Sequence, residues 1–318
     1  MATADLVLEG GGVKGIGLVG AISVLEEHGY GFHRVAGTSA GAIVGALVAA
    51  QIPMVELQKI MWAVDYNKFQ DGSLVTRLGI LGKGIEVMFR DGIYRGQYLL
   101  DWLTGELGKV GKHTFADLRL DDPGASPDLQ HTYRLVVMTS DLSAGRLVQL
   151  PWDYQSRLGR APDGEQIACA VRMSMSIPFF FQPWRDGGSC FVDGGMLSNF
   201  PVGVFDRNDD GEPRWPTFGI KLSGRPDANQ KPTPIGGPVG VLKAMVGTMT
   251  NFHDQMYLDE PSVVDRTIFV DCGKVRATDF NLTDSDKKML YESGREAAEK
   301  FLSTWDFEVY KAKYRKAA

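Results

Sequence analysis

VAGTSAGAIVGALVAA, residues 35–50, places one serine between two glycines at the foot of an apolar segment. The preceding residues, FHRVAG, have the character of a short strand, and those after Ser39 have the spacing of a helix. In a strand–turn–helix setting, a serine in a G-x-S-x-G pattern becomes a nucleophile exposed on a sharp elbow. The pattern is also compatible with a plain turn of small residues, so both interpretations stay open at this point.

The segments around this elbow predict the fold class. ADLVLEG is a short apolar run, and the helix-like segment IGLVGAISVLEEHGY that follows it ends near Gly29. Further strands are predicted at 133–141, 146–150, 217–222 and 266–272. Short apolar strands that alternate with helices indicate an α/β fold: a mostly parallel central sheet with helices on both faces, in three layers.

Length and composition bound the domain organisation. The chain has 318 residues, of which 44% are hydrophobic, so it can bury a large core. It has no internal repeat, and its two loop-like stretches, 120–129 and 225–240, lie inside one continuing α/β pattern. We therefore expect a single domain over 1–318, with its motifs in 5–225 and none in 226–318.

Charge and cysteine content exclude several classes of partner. With 34 basic and 39 acidic side chains the formal net charge is −5, which gives no electrostatic footprint for nucleic acid. Three widely spaced cysteines without a C-x-x-C pattern are typical of reduced thiols in the cytosol. No secretory signal and no apolar run of about 18 residues is visible, so we expect a cytoplasmic protein that meets a membrane only at its surface.

A glycine loop, LEGGGVKGIG, precedes the first predicted helix and has two interpretations. Gly10, Gly12 and Gly15 fit G-x-G-x-x-G, but a dinucleotide site also needs an acidic residue at the end of the next strand, where this chain has GTSAG. Successive glycine amides before a helix can instead form a concavity for an anion, including the oxyanion of acyl transfer. A phosphate-binding P-loop is excluded because no G-K-[ST] follows the glycines.

A serine nucleophile needs a base to accept its proton. Of the five histidines, only His253 lies late enough in the chain for the usual order of a hydrolase triad, and it lacks a strand-end context. In SCFVDGGMLSNFPV, a predicted strand ends at Asp193, which Gly194 and Gly195 follow. From these residues alone, Asp193 is equally a general base at a strand end or part of a simple hairpin turn.

A set of blocks in one order resembles the patatin-like phospholipase family. These blocks are GGGVKG at 10–15, GTSAG at 37–41, RMSMSIPFFFQP at 172–183 and DGG at 193–195, with NFP at 199–201 after them. The resemblance covers about 5–225 and implies a three-layer α/β/α fold and a lipid acyl hydrolase.

Carried over by position, the resemblance implies a dyad without histidine, with Ser39 as nucleophile and Asp193 as general base. It implies an oxyanion hole formed by the amides of one loop, namely Gly10, Gly11, Gly12, Val13, Lys14 and Gly15. The flanking motif positions are Gly37, Thr38, Ala40, Gly41, Gly194 and Gly195. The resemblance implies no metal and no cofactor, and a phospholipid, lysophospholipid or related ester as substrate. IPFFF at 177–181 and the methionine-rich stretches could then supply an apolar slot for the acyl chain.

The sequence contains no complete metal-binding pattern of the kinds considered. Asp206, Asn208 and Asp210 begin like a calcium loop, but the position that requires glutamate is Thr217. Two alternatives to the hydrolase remain from the sequence: a dinucleotide-binding protein that uses the 10–15 loop, and a catalytically silent lipid-binding module.

Overall fold

The structure is a computed structural model. It describes residues 1–72, 92–122, 129–207, 211–222 and 260–314, together with positions 235, 236, 244, 247 and 248. His253, Asn208 and Asp210 lie outside the described residues, as do most of the apolar segments 73–94 and 241–253.

The main sheet contains eight strands among the described residues, in the order β10-β9-β1-β2-β4-β8-β7, with β5 paired to β4. They are β1 (Ala2–Leu8), β2 (Tyr30–Thr38), β4 (Leu135–Asp141), β5 (Arg146–Leu150), β7 (Trp184–Asp186), β8 (Ser189–Asp193), β9 (Thr217–Lys221) and β10 (Thr267–Phe269). The five strands from β10 to β4 pair in parallel, whereas β5, β7 and β8 join antiparallel. A separate parallel pair joins β3 (Gly92–Tyr94) to β6 (Phe179–Phe181). The predicted mostly parallel sheet is confirmed.

Side chains alternate between two cores along the central strands, because successive residues of a strand point to opposite faces. In β1, Leu6 and Leu8 belong to the larger core, whereas Val7 belongs to the smaller one. The same alternation recurs in β2 and β4, which are buried on both faces. Continuous apolar strands are what a sheet covered on both sides requires.

The helices of the described residues are α1 (Gly15–Glu27), α2 (Ala40–Ala49), α3 (Met54–Ala63), α4 (Gln97–Lys109), α5 (Ile167–Ser174), α6 (Pro261–Val264), α7 (Asp284–Leu302) and α8 (Phe307–Tyr314). Helices α1 and α2 are buried along nearly their whole length in the larger core. The smaller core takes Val263 from α6. Helices therefore lie on both faces of the sheet, as the sequence predicts.

Residues 260–314, which carry no motif, extend this architecture. β10 pairs with β9 in the main sheet, and α7 packs along α1, where Arg295 forms an ion pair with Glu27 at 2.7 Å. A capping box at Thr283 and Asp286 begins α7. β10 is shorter than the strand predicted over 266–272, because its partner strand β9 ends at Lys221, which lies opposite Phe269.

Candidate active site

Ser39 lies at the junction between β2 and α2 in a strained backbone conformation. Its φ is 54° and its ψ is −121°, a region that residues other than glycine rarely occupy. The two flanking glycines are needed because a Cβ on Gly37 would lie 2.2 Å from the Gly41 carbonyl oxygen, and one on Gly41 would lie 2.3 Å from the Leu8 carbonyl oxygen. Strand and helix thus approach so closely that only glycine fits at both positions.

The surroundings of Ser39 hold its backbone and leave its hydroxyl without a strong partner. The Ser39 amide donates to Ser174 Oγ at 2.8 Å, and Ser39 Oγ lies 3.2 Å from Met175 Sδ. Thioether sulfur is a weak acceptor, so little free energy opposes rotation of the hydroxyl toward another group. The residue is 4% exposed.

Strand register brings Asp193 to the same end of the sheet. Thr38 of β2 is opposite Met138 of β4, and Asp193 of β8 is opposite Thr139 of β4. Ser39 and Asp193 therefore flank the same point of β4 from its two sides, although 154 positions separate them in the chain.

The Asp193 carboxylate is buried and half satisfied. Its Oδ1 accepts a hydrogen bond of 2.7 Å from the Gly195 amide, while its Oδ2 accepts none from the described residues. Burial raises the pKa of Asp193 to about 6, even though the Gly195 amide and the nearby Ser39 hydroxyl both act to lower the pKa. Oδ2 is thus an open acceptor beside the Ser39 hydroxyl.

The glycine loop packs against Ser39, and half of its amides already have partners. A Cβ on Gly10 would lie 3.1 Å from Ser39 Cβ. The Gly10 amide donates to Asn199 O at 3.1 Å, and the Val13 amide donates to Ala277 O at 3.1 Å. The Lys14 amide donates to Gly11 O at 3.2 Å. Gly15 begins α1, whereas the amides of Gly11 and Gly12 donate to no atom among the described residues. Three of the six predicted oxyanion donors therefore have partners, and the amides of Gly11 and Gly12 stay available.

One short segment after Asp193 ties the elbow to the glycine loop. The Thr38 hydroxyl donates to Ser198 O at 2.9 Å, and the Asn199 side chain donates to Gly10 O at 3.2 Å and Glu9 Oε1 at 3.3 Å. Glu9 is buried and also pairs with Lys221. The loops that carry Ser39, Asp193 and the free amides are thereby joined through Ser198 and Asn199.

Several of these positioning residues were missed by sequence reasoning. Ser174 accepts from the Ser39 amide, and the Ser176 carbonyl accepts from the Asp193 amide at 2.9 Å. Both serines belong to RMSMSIPFFFQP, which the sequence marked only as a block. The signal was two serines spaced by one residue before a proline, a spacing that lets one segment reach the ends of β2 and β8, which lie on either side of β4.

An apolar cavity adjoins the nucleophile. Its lining includes Ala40 and Ile43 from α2, together with Tyr66, Met175 and Phe280. Its volume is about 310 Å³, including the part that is open to solvent. Its interior has room for about one water molecule, so an acyl chain requires its walls to move apart. Phe180 of the predicted IPFFF slot does not line it directly but stacks on Phe280, with ring centroids 4.7 Å apart.

No cluster of three potential metal ligands occurs among the described residues. Within the same residues, no helix combines the length and apolar character needed to cross a bilayer.

Comparisons with known proteins agree with the geometry. A family model for patatin-like phospholipase matches residues 6–206. An uncharacterised protein of Bacillus subtilis, YqhO, is 36% identical over 307 residues, 95% of this chain and 99% of that protein. Lysophospholipase NTE1 of Saccharomyces cerevisiae is 26% identical over 198 residues, 62% of this chain but 10% of NTE1. The crystal structure of VipD from Legionella pneumophila has a TM-score of 0.55 at 18% identity, covering 95% of this chain and 67% of VipD, and shows a shared fold.

The family match covers well over half of the chain and spans the elbow, the glycine loop and Asp193. This chain belongs to the patatin-like phospholipase family and is a hydrolase of ester bonds in lipids.

Proposed function

We propose that the protein hydrolyses carboxylic esters of phospholipids or lysophospholipids through an acyl-enzyme on Ser39, with Asp193 as general base. The observation that carries this proposal is the buried, unpartnered Oδ2 of Asp193 across β4 from the Ser39 hydroxyl. A buried acceptor without a donor is costly, and such groups concentrate where a reaction uses them.

In the first step, Ser39 Oγ attacks the ester carbonyl carbon and its proton passes to Asp193 Oδ2. The carbonyl oxygen becomes an oxyanion, which the amides of Gly11 and Gly12 and the positive N-terminus of α1 are available to stabilise. The tetrahedral intermediate then collapses, and the leaving alcohol takes the proton from Asp193. Water repeats the sequence on the acyl-enzyme and releases the carboxylic acid.

The buried position of Asp193 suits this role. A carboxylate with an ordinary pKa is a poor acceptor for a hydroxyl proton, and burial raises the pKa of Asp193 to about 6. The group remains ionised at neutral pH and is a stronger base than an exposed aspartate, so no histidine is required.

The cavity and the relatives support this substrate class. The apolar cavity beside the nucleophile would take an acyl chain once its walls move apart, and the relative NTE1 is named a lysophospholipase. A dinucleotide-binding role finds less support, because β2 ends in the strained serine elbow rather than an acidic residue.

We also propose that residues 1–318 form a single domain in the cytoplasm, which meets its substrate at a membrane surface without spanning it. β10 and α7 support one domain, since they extend the sheet and the packing of the motif-bearing part. Three free cysteines support a reducing compartment.

The test is hydrolysis of p-nitrophenyl butyrate and of lysophosphatidylcholine by wild type, Ser39→Ala, Asp193→Ala and the control His253→Ala. We expect a loss of at least about 10⁴-fold for Ser39→Ala and about 10²-fold or more for Asp193→Ala, with folding retained by circular dichroism. His253→Ala should keep near wild-type rates. Full activity in Asp193→Ala, or loss of activity in His253→Ala, rules out the histidine-free dyad. If lysophosphatidylcholine stays intact while the short ester is cleaved, lysophospholipids are ruled out as substrates.

A further inference from the structure

A second cavity lies away from the glycine loop, where the start of α4 meets the residues around β7. It has a volume of about 530 Å³, including the part open to solvent. Its lining comes from three places, with Arg95, Gln97, Arg172, Gln182, Trp184 and Arg185 among the residues. We call it the arginine cavity.

The charged residues that line this cavity are all positive. Three of its residues are arginines and none is acidic. Arg95 is exposed and forms no ion pair with a described residue, whereas Arg185 already makes another interaction. The N-terminus of α4, a helix of 13 residues, also lies here, but its Gly96 and Tyr98 amides already donate to the Asp71 carboxylate.

Arg172 is the buried element of the cavity. It is 4% exposed and forms no ion pair with a described carboxylate. Its guanidinium donates to the carbonyl oxygens of Gly96 at 3.1 Å, Arg95 at 2.6 Å and Gln182 at 2.9 Å, and to Ser176 Oγ at 2.6 Å. Four of its five N–H groups are therefore used and one remains.

Arg172 makes its hydrogen bonds to neutral oxygens, and a buried cation without a carboxylate in contact is costly because water has been removed. Burial lowers the pKa of Arg172 to about 10, while the charge of Asp71, which forms no ion pair with it, acts in the other direction. The Asp71 carboxylate is itself held by the Gly96 and Tyr98 amides, at 2.7 and 2.9 Å. None of the residues that line the cavity is acidic, so no lining carboxylate would compete with an anion for Arg172.

We propose that the arginine cavity binds a phosphate group, between Arg95 at the rim and Arg172 at the base. Guanidinium groups match the geometry of phosphate oxygens and form strong charge-assisted hydrogen bonds with them. The phosphate is either that of a lipid headgroup or a soluble phosphate, since both present the same oxygens.

The cavity has a physical connection to Asp193. Arg172 donates to the Ser176 side chain, and the Ser176 carbonyl accepts from the Asp193 amide. An anion that stabilises the charged Arg172 also stabilises the segment on which Asp193 rests. Binding at this cavity does not depend on the chemistry proposed for Ser39, so the two are tested separately.

The test measures binding of sodium phosphate by calorimetry and by thermal shift, against sodium chloride at matched ionic strength. Arg95→Gln is the test variant, because only the backbone of Arg95 supports Arg172. Arg157→Gln is the matched control, since it removes the same charge from an exposed arginine paired with Asp153. Ser39→Ala is included to separate binding from turnover.

We expect phosphate to bind wild type, Arg157→Gln and Ser39→Ala equally, and Arg95→Gln about tenfold more weakly, since one charge-assisted hydrogen bond is lost. Phosphatidylcholine vesicles with and without phosphatidic acid then identify the source. If the protein binds to the vesicles only when phosphatidic acid and Arg95 are both present, the phosphate is that of a lipid headgroup. If the protein binds free phosphate but not these vesicles, the ligand is soluble. Absence of phosphate binding to wild type, or an equal loss in Arg95→Gln and Arg157→Gln, overturns the proposal.

Discussion

The Ser39 elbow and the Asp193 turn reach the same end of the sheet by different means. The elbow is fixed by backbone sterics: its two glycines approach neighbouring carbonyl groups too closely for any Cβ. The turn at Asp193 has one such approach, at Gly194, where a Cβ would lie 2.3 Å from the Met138 carbonyl oxygen. The Asp193 residue itself is held by hydrogen bonds, from the Gly195 amide to Oδ1 and from its own amide to the Ser176 carbonyl. The position of the nucleophile is therefore set mainly by shape, and the orientation of the proposed base by hydrogen bonds.

This difference separates stability from reactivity. The backbone geometry of the elbow does not depend on pH. The turn, in contrast, holds a titratable carboxylate, and burial raises the pKa of this Asp193 side chain to about 6. The elbow sets where the nucleophile lies, and the turn sets how strong its base is. Substitutions of the elbow glycines should act mainly on folding, and substitution of Gly195 in the turn mainly on activity.

The largest expected effect contrasts one glycine from each region. A Cβ on Gly37 meets backbone atoms at 2.2 and 2.4 Å, whereas one on Gly195 meets side-chain atoms of Asn199 and Asp193 at 2.8 and 2.9 Å. We expect Gly37→Ala to lower the free energy of unfolding by about 3 kcal/mol, since backbone cannot move aside.

Gly195→Ala should cost much less stability but should reduce kcat, because the Asp193 carboxylate is displaced. Urea denaturation and ester hydrolysis measure the two effects. Equal stability losses in both variants would contradict the division between shape and hydrogen bonding.

A smaller effect is expected at Ser174, which accepts the hydrogen bond of the Ser39 amide. Ser174→Ala leaves this amide unpaired and buried, at a cost of about 1–3 kcal/mol. We expect a lower kcat, whereas KM and the pH profile should stay unchanged, because the position of the nucleophile is altered while its base is not.

Ser23→Ala is the control for Ser174→Ala. It removes another buried hydroxyl, on the face of α1 that contacts Tyr291 and Arg295 of α7. It should lower stability without lowering kcat. A similar fall of kcat in both variants would assign the effect to general destabilisation.

The smallest expected effect concerns strain at Ser39 itself. Both Ser39→Ala and Ser39→Gly remove the nucleophile, but only glycine adopts φ 54° without cost. We expect Ser39→Gly to be more stable than Ser39→Ala by about 1 kcal/mol in urea denaturation. Equal stabilities would mean that the elbow stores no strain.

The same division explains what the sequence could predict. The alternation of strands and helices predicted the α/β sheet, and GTSAG predicted the elbow, because sterics leave few residues that fit. Hydrogen-bond partners from distant segments are harder to predict: Ser174 lies 135 positions from Ser39, and the paired serines before Pro178 do not say which group their hydroxyls bind.

The glycine loop shows the limit most clearly. The family resemblance implied an oxyanion hole of six amides in GGGVKG, yet the partners of Gly10 and Val13 are the carbonyls of Asn199 and Ala277, far away in the chain. Which amides remain free depends on this tertiary pairing, which no local pattern encodes. The family resemblance supplied the pairing of Ser39 with Asp193, which the residues alone left open against a hairpin turn.

The most direct test of the proposed dyad is the rate of fluorophosphonate labelling as a function of pH, with the labelled residue identified by mass spectrometry. Asp193 must be ionised to accept the Ser39 proton, so with a pKa of about 6 the wild-type rate should be constant at pH 7–8 and fall tenfold per pH unit well below 6. Label should be found on Ser39, and Asp193→Asn should react at least about 10²-fold more slowly at pH 7. Label on another residue, or an Asp193→Asn variant with the wild-type rate and pH profile, would contradict the account.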